Sequence, residues 1–371
     1  ESAEASEGSD GFVIENGVLV EYSGVENAVT IPADGSVTAI GNNAFLNTSI
    51  TSVSIPSSVT SIGEYAFAGC SSLQSIVVPS SVTSVGTAAF SGCSSASSLT
   101  WESSAGIPDN AFSDCSTLSS VSLASGVPSI GAEAFRNCES LTSFAVPAGT
   151  KSIAADAFDG CINMTAINVA EGNSFFSSYN NVLYTVGGVA LVRCPQGSTS
   201  ISVYDGTKMI SANSFYGCGL GTVTLPESVT DIQTNAFTGS SIETLVLGSA
   251  VSTFGEQAFQ SIQAIEIPGT APVAAALLAQ YGSEIVVTDY TGGGGDTENP
   301  GDTEDPGNTE NPGDTENPGD TENPGDTEDP GNTENPGDTE NPGNTENPVD
   351  TENPGNTENP GNTENPGNTE N

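Results

Sequence analysis

Apolar positions in this chain recur with a period of 22 or 23 residues, and within each period they fall at the same slots. Phenylalanine marks one slot at Phe45, Phe67, Phe90, Phe112, Phe135 and Phe158 and, after a gap, at Phe215, Phe237 and Phe259. Five residues earlier stand Ile62, Val85, Ile107, Ile130, Ile153, Ile210, Ile232 and Phe254, and Ala or Ser directly precedes the Phe. Further upstream, Ile55, Val78, Trp101, Leu123, Val146, Leu225, Leu247 and Ile267 lie in short alternating segments such as "LTSFAVP". Alternation of this kind predicts β-strands with one buried face.

Proline after the strand, at Pro56, Pro79, Pro147, Pro226 and Pro268, removes a ladder donor and predicts the end of pairing. Gly63, Gly86, Gly131 and Gly255 then lead into the "AF" segment, which has room for a helical turn or two. One copy alone would leave its apolar stripe facing water. Stacked copies form ladders of Phe on Phe and Ile on Ile, each large side chain contributing about 1.5–3 kcal/mol when fully buried. The fixed period therefore predicts a repeat solenoid of parallel strands and short helical turns.

The text "IPSSVTSIGEYAFAGC", Ile55 to Cys70, with its 22 to 23 residue spacing, resembles the BspA-like leucine-rich repeat family over roughly Gly11 to Thr288. That resemblance implies a leucine-rich-repeat-like solenoid with one parallel strand in each coil. It also implies kinship with bacterial surface proteins that attach to host extracellular proteins or to other microbes. The chain departs from the pattern in its tail, in its charge, and in its third copy, where Trp101 takes a strand slot and "GIPDNAF" replaces "SIGEYAF".

The gap between Phe158 and Phe215 holds "NNVLYTVGGVALVRCPQG", two alternating runs about Gly187 and Gly188, which predicts a β-hairpin insertion at about 173–197. "ENGVLVEYSG", Glu15 to Gly24, is a weaker version of the same text and is expected to cap the first coil. At the other end Val273, Leu277, Leu278 and Tyr281 have helical spacing before Gly282, so a C-terminal cap helix is expected at about 272–281. The expected organisation is a flexible N-terminus over 1–10, a solenoid over 11–291 and a tail over 292–371. From Asp296 the tail runs in "DTENPG" and "NTENPG" hexads, broken once by Val349. With nothing to bury and a Pro in each hexad, it is predicted to be a disordered, extended spacer. Calcium binding is the weaker reading, because the hexad lacks a rigid turn to converge six to eight oxygens.

Charge narrows the partners. The 371 residues include 47 acids against Arg136, Lys151, Arg193 and Lys208, a formal net charge of −43, and 22 of the acids lie beyond Gly292. Nucleic acid and anionic membrane are disfavoured as partners by repulsion. No apolar run approaches the ~18 residues that membrane insertion requires. The opening text "ESAEASEGSD" suits a processed secreted protein and equally a cloned fragment.

Candidate chemistry is sparse. Cys70, Cys93, Cys115, Cys138, Cys161 and Cys218 each sit three residues after a repeat Phe, which reads as a core ladder of thiols rather than a disulfide framework, although neighbouring rungs could still be near enough to oxidise. Cys194, in the insertion, is expected to be the more reactive thiol. The chain has no His, which removes imidazole-activated nucleophiles and, with no closely spaced Cys pair, argues against zinc. No phosphate-cradling Gly-rich loop with its Lys is present. No catalytic residue, metal ligand or cofactor is assigned.

What remains is surface. The residues between core slots are expected to line one solvent face, with Gln74, Ser75, Val77, Ser120, Ser122, Thr222, Thr224, Glu243, Thr244 and Glu266 as candidate contacts. Ser and Thr also simply suit exposed strands. Tyr179 and Arg193 in the insertion are the candidate anchors, since interfaces favour aromatics and Arg. The expected function is a non-enzymatic, secreted or surface-displayed monomer that binds an extracellular host or microbial surface protein, with a glycan as the other ligand class. A structural surface-layer or stalk component is the alternative, and a glycan-active enzyme a remoter one.

Overall fold

The computed structural model describes residues 6–7, 11–267, 272–282 and 286–289. The chain divides into two units, Glu1–Glu298 and Asn299–Asn371. The predicted tail lies outside the described residues, as does most of the N-terminal segment, of which Ser6–Glu7 pairs antiparallel with Val13–Ile14.

Each period folds into one coil of a parallel β-solenoid with two strand segments. The alternating segments form the longer strands: Ser75–Val78, Ser98–Trp101 and Ser120–Leu123 pair in parallel, residue on homologous residue. Ser143–Val146 pairs likewise with Ala166–Val169, and Thr222–Thr224, Thr244–Val246, Ala264–Ile267 and Val286–Asp289 form a second ladder. Two-residue strands such as Ser61–Ile62 and Ser84–Val85 make the other side of each coil. Between the two sides the "PSSV" text closes a turn in which Val59 N donates to Pro56 O and Val82 N to Pro79 O, and both valines are fully buried.

The short helical turns at "AF" take the form of successive i→i+3 turns. Leu46 N donates to Asn43 O and Thr48 N to Phe45 O, and the pattern repeats in later coils. Residues two before and two after the Phe adopt positive φ in every coil but that of Phe158, where only Gly160 does, as at Asn43 (59°) and Asn47 (57°), so the turn never propagates into a helix. Asn or Gly fills many of these positions because both tolerate left-handed backbone. The glycines that lead into the turn answer a different need. A Cβ on Gly86 or Gly255 would collide with backbone one coil earlier, at Glu64 and Thr234.

Phenylalanine on phenylalanine forms the spine. Phe45 and Phe67 stack at 4.8 Å between ring centroids, Phe67 and Phe90 at 5.0 Å, and Phe112 and Phe135 at 5.3 Å. Tyr22, in the N-terminal hairpin, extends the spine by stacking on Phe45 at 5.2 Å. The thiol ladder runs beside it: Cys70, Cys93, Cys115, Cys138 and Cys161 each donate to the Phe carbonyl of the preceding coil at 3.0–3.3 Å. All seven cysteines are free and buried.

The insertion is more than a hairpin. Phe176–Tyr179, Val182–Thr185 and Ala190–Arg193 form an antiparallel meander whose third strand pairs in parallel with Met209–Ile210, returning the chain to the solenoid. Its central strand is a wall between two cores. Leu183 packs with the coils before it, whereas Val182 and Tyr184 pack with the coils after it. Only alternation can serve two cores from one strand, and both of its faces are accordingly apolar. The cap helix is observed at Ala274–Tyr281, burying Leu277 and Tyr281 against the last coils, while Leu278 is exposed.

Candidate binding surface

In-register parallel pairing turns the outward positions of each long strand into columns. Ser75, Ser98 and Ser120 form one, and Val77, Thr100 and Ser122 the next. In the second ladder, Thr222, Thr244 and Ala264 form one column and Thr224, Val246 and Glu266 the other. Ser75, Val77, Ser120, Ser122, Thr222 and Thr224 are exposed; Thr244 and Glu266 are half-buried. Val77, 46% exposed, gives its column an apolar member. Gln74 and Glu243 are also exposed but stand one residue before the strands, where Gln74 N donates to Thr51 O and Glu243 N to Leu220 O.

Many hydroxyls beside these columns have a structural partner. Ser97 Oγ donates to Gln74 O, Ser119 Oγ to Ser97 O and Thr165 Oγ1 to Thr142 O, each bridging to the coil before. Thr60 and Thr83 repeat the device on the short-strand side. Ser and Thr thus stitch coils together at the rim, while the column residues themselves face outward.

The insertion corrects two expectations. Arg193 is not an exposed anchor: it is 3% exposed, its Nη2 lies 2.8 Å from Asp159 Oδ1, and its Nη1 donates to Ala155 O and Asn213 O. Burial raises the Asp159 carboxyl above its usual range, and Arg193 offsets part of that rise. Cys194 is not the accessible thiol either, being fully buried. The neighbouring Cys218 thiol, then burial, push its pKa well above the usual thiol value. Cys194 N donates to Ser214 O just as Phe67 N donates to Ala89 O, so Cys194 occupies the Phe slot of the intervening coil. Tyr184 is core, and burial moves its phenol up to about 12.

Tyr179 is half-buried and stacks at 4.3 Å on Tyr204, a residue to which the repeat pattern drew no attention and which is 37% exposed. The exposed apolar side chains Phe175, Val186 and Val189 also belong to the insertion. Among the described residues no cluster of three or more His, Cys, Asp or Glu is arranged to hold a metal ion, and no helix is long and apolar enough to cross a membrane. Among the described residues, open clefts lie beside Tyr281 of the cap helix, beside Tyr22 of the N-terminal hairpin and along the short-strand side at Ile107 and Ile130. What the arrangement offers chemically is contact area and hydrogen-bonding groups at fixed spacing.

Comparison with known proteins agrees with this architecture. The BspA type leucine rich repeat region matches residues 38–181 and 189–273, in six copies. A leucine rich cell surface protein from Faecalibacterium prausnitzii superposes with a TM-score of 0.51 at 22% identity, covering 79% of this chain and 96% of that one, and shows the same fold. A leucine-rich repeat protein from Eubacterium ventriosum aligns with a TM-score of 0.48 at 19% identity over 72% of this chain and 73% of its own. The pneumococcal vaccine antigen PcpA gives 0.43 at 17%, over 78% and 96%. No curated protein matches the sequence. The repeat unit, its period and its stacking, matched along most of the solenoid, make this chain a member of the BspA type leucine-rich repeat family.

Proposed function

We propose that this chain is a non-enzymatic binding protein, secreted or held at the cell surface, whose long-strand columns engage an extracellular host or microbial surface protein. The observation that carries the reading is the register of the columns: Ser75, Ser98 and Ser120, with Val77, Thr100 and Ser122 beside them, present repeated contacts at one strand spacing. Such a face offers many weak contacts rather than one deep pocket. The family is one of repeat proteins suited to protein–protein interaction, and the structural relative from F. prausnitzii is described as a cell surface protein. The acidic tail serves as a spacer in this reading. With four cations in the whole chain, a basic or neutral partner is favoured.

The test is capture of a saturable partner from host and microbial surface extracts, followed by lysine substitutions at Val77, Ser122 and Thr224. These exposed changes are expected to weaken binding while moving stability by no more than about 0.5 kcal/mol. Unchanged binding after all three would remove the columns from the interface. Self-association with no saturable partner would replace adhesion by a structural surface role.

A further inference from the structure

The two ladders of the solenoid are treated differently at its N-terminal end. The short-strand ladder is covered, because Val18 and Leu19 of the N-terminal hairpin pair in parallel with Ala39 and Ile40. The long-strand ladder begins at Ala28–Thr30, which pairs on one side with Ser52–Ser54 and, among the described residues, on the other side with nothing. Asn27 O accepts from Thr51 N, and Ile31 N donates to Ser54 O, so odd-numbered positions address the second coil. By the two-residue period of a strand, the backbone groups of Ala28 and Thr30 point away from it, toward open space.

Beside this edge lies a cleft of about 580 Å³ whose walls include Phe12, Tyr22, Val25 and Glu26. Val25 is 92% exposed, although Val29 next to the cleft is buried. The charge at the cleft is acidic: Glu26 in its wall is exposed, and no Lys or Arg occurs in the sequence before Arg136.

We propose that the Ala28–Thr30 edge is a strand-addition site for an extended, basic polypeptide segment. The free backbone groups supply the affinity common to such recognition, and pockets beside the edge read alternate side chains. An added parallel strand would place one set of its side chains in line with Val29, toward the apolar cleft wall. The alternate set would lie in line with Ala28 and Thr30, facing solvent beside Glu26 of the cleft wall. Lysine or arginine alternating with a small apolar residue fits both. This site is separate from the outward columns and does not depend on them.

The experiment uses the full chain and a fluorescent octapeptide of alternating Lys and Val. Two controls accompany it: the same peptide N-methylated at alternate amides, which keeps its charge, and a Glu-for-Lys version. Expected are saturable one-to-one binding, at least about tenfold weaker binding of both controls, and hydrogen-exchange protection confined to residues 25–31. Ala28→Pro and Glu26→Lys are each expected to weaken binding about tenfold, and Val77→Lys to leave it unchanged. Equal binding of the N-methylated peptide would overturn the proposal in favour of mere charge attraction, including attraction to the acidic tail. Absence of binding, or protection elsewhere, would also overturn it. So would self-association abolished by Ala28→Pro, which would make a second copy the occupant. Should Ala28→Pro fail to fold, the difference in affinity between the plain and the N-methylated Lys peptides decides alone.

Discussion

Arg193 reaches from the inserted meander to Asp159, 2.8 Å away, and so bridges the last coil of the first core to the wall that begins the second. Asp159 directly follows Phe158, the last ring of the first spine. Arg193 directly precedes Cys194, which holds the Phe slot of the next coil without an aromatic ring. The ion pair therefore sits where ring stacking is interrupted, and the guanidinium also satisfies the carbonyls of Ala155 and Asn213.

Replacing this group should be costly. Arg193→Met is expected to lower stability by about 3 kcal/mol, since it strands a half-buried carboxylate and two carbonyls. The loss should appear as a lower urea midpoint. The Asp159 carboxyl is already raised by burial, and without Arg193 it rises further. A raised carboxyl stabilises the fold in its protonated form. The variant should thus lose stability as pH rises through that pKa and recover part of it in acid, more steeply than the parent. Equal urea midpoints for parent and variant would refute the bridging role.

The thiols carry a second pH dependence, of alkaline range. Burial raises Cys70, Cys138 and Cys161, the last to about 12 from an ordinary 9.0. A folded pKa above the unfolded one contributes stability that is intact below pH 9 and is lost as pH climbs toward the folded value. Thermal midpoints should hold up to about pH 9 and then fall, and less so in a Cys161→Ala variant. In native protein at neutral pH all seven thiols should react slowly with a thiol reagent, Cys194 included, and all at once on unfolding.

Left-handed backbone offers a route to stabilisation. Gln257 is exposed at φ 56°, in the slot that Asn43, Asn110, Asn213 and Asn235 fill in other coils. Gln257→Asn should raise stability by about 0.5–1 kcal/mol, because Asn adopts this region with less strain. Differential scanning calorimetry would show the rise, and a fall would refute the argument.

Two glycines separate close approach from mere flexibility. Gly131→Ala should cost about 1–3 kcal/mol, since its Cβ would press on the Asp109 backbone. Gly126 has open space around the same position and no positive φ, so Gly126→Ala should be neutral or stabilising by up to about 1 kcal/mol. Chemical denaturation of the pair checks both signs.

The period exposed every element that obeys it. Phe45 to Phe158, Cys70 to Cys161 and Ile62 to Ile130 could be assigned to the core because each slot recurs among identical neighbours. Arg193 and Cys194 escaped because the meander contracts the register: Ile210 precedes Phe215 by five residues, whereas Leu191, its strand partner, precedes Cys194 by three. Read by sequence spacing, neither falls on a slot. The unbroken apolar run of Val182, Leu183 and Tyr184 was the available clue to a strand buried on both faces. For the candidate surface, alternation was enough to place Ser75, Val77, Ser120 and Ser122 outward. The open edge at Ala28–Thr30 depends on which strand lacks a neighbour, and that is a property of pairing rather than of residue pattern.

A hairpin turned at Asn16 and Gly17 and one turned at Asn180 and Asn181, all at positive φ, stand at the start of the two cores; the first hands its second strand straight to the solenoid, the other does so through the added strand Ala190–Arg193. A chain so organised can change length in two step sizes. Inserting or deleting one 22 to 23 residue unit leaves every remaining rung with a like neighbour. Inserting a hairpin followed by several units adds a block with its own beginning, whose spine need not match the preceding one in register. Reach and the number of contacts offered can then be adjusted separately, without redesigning any interior.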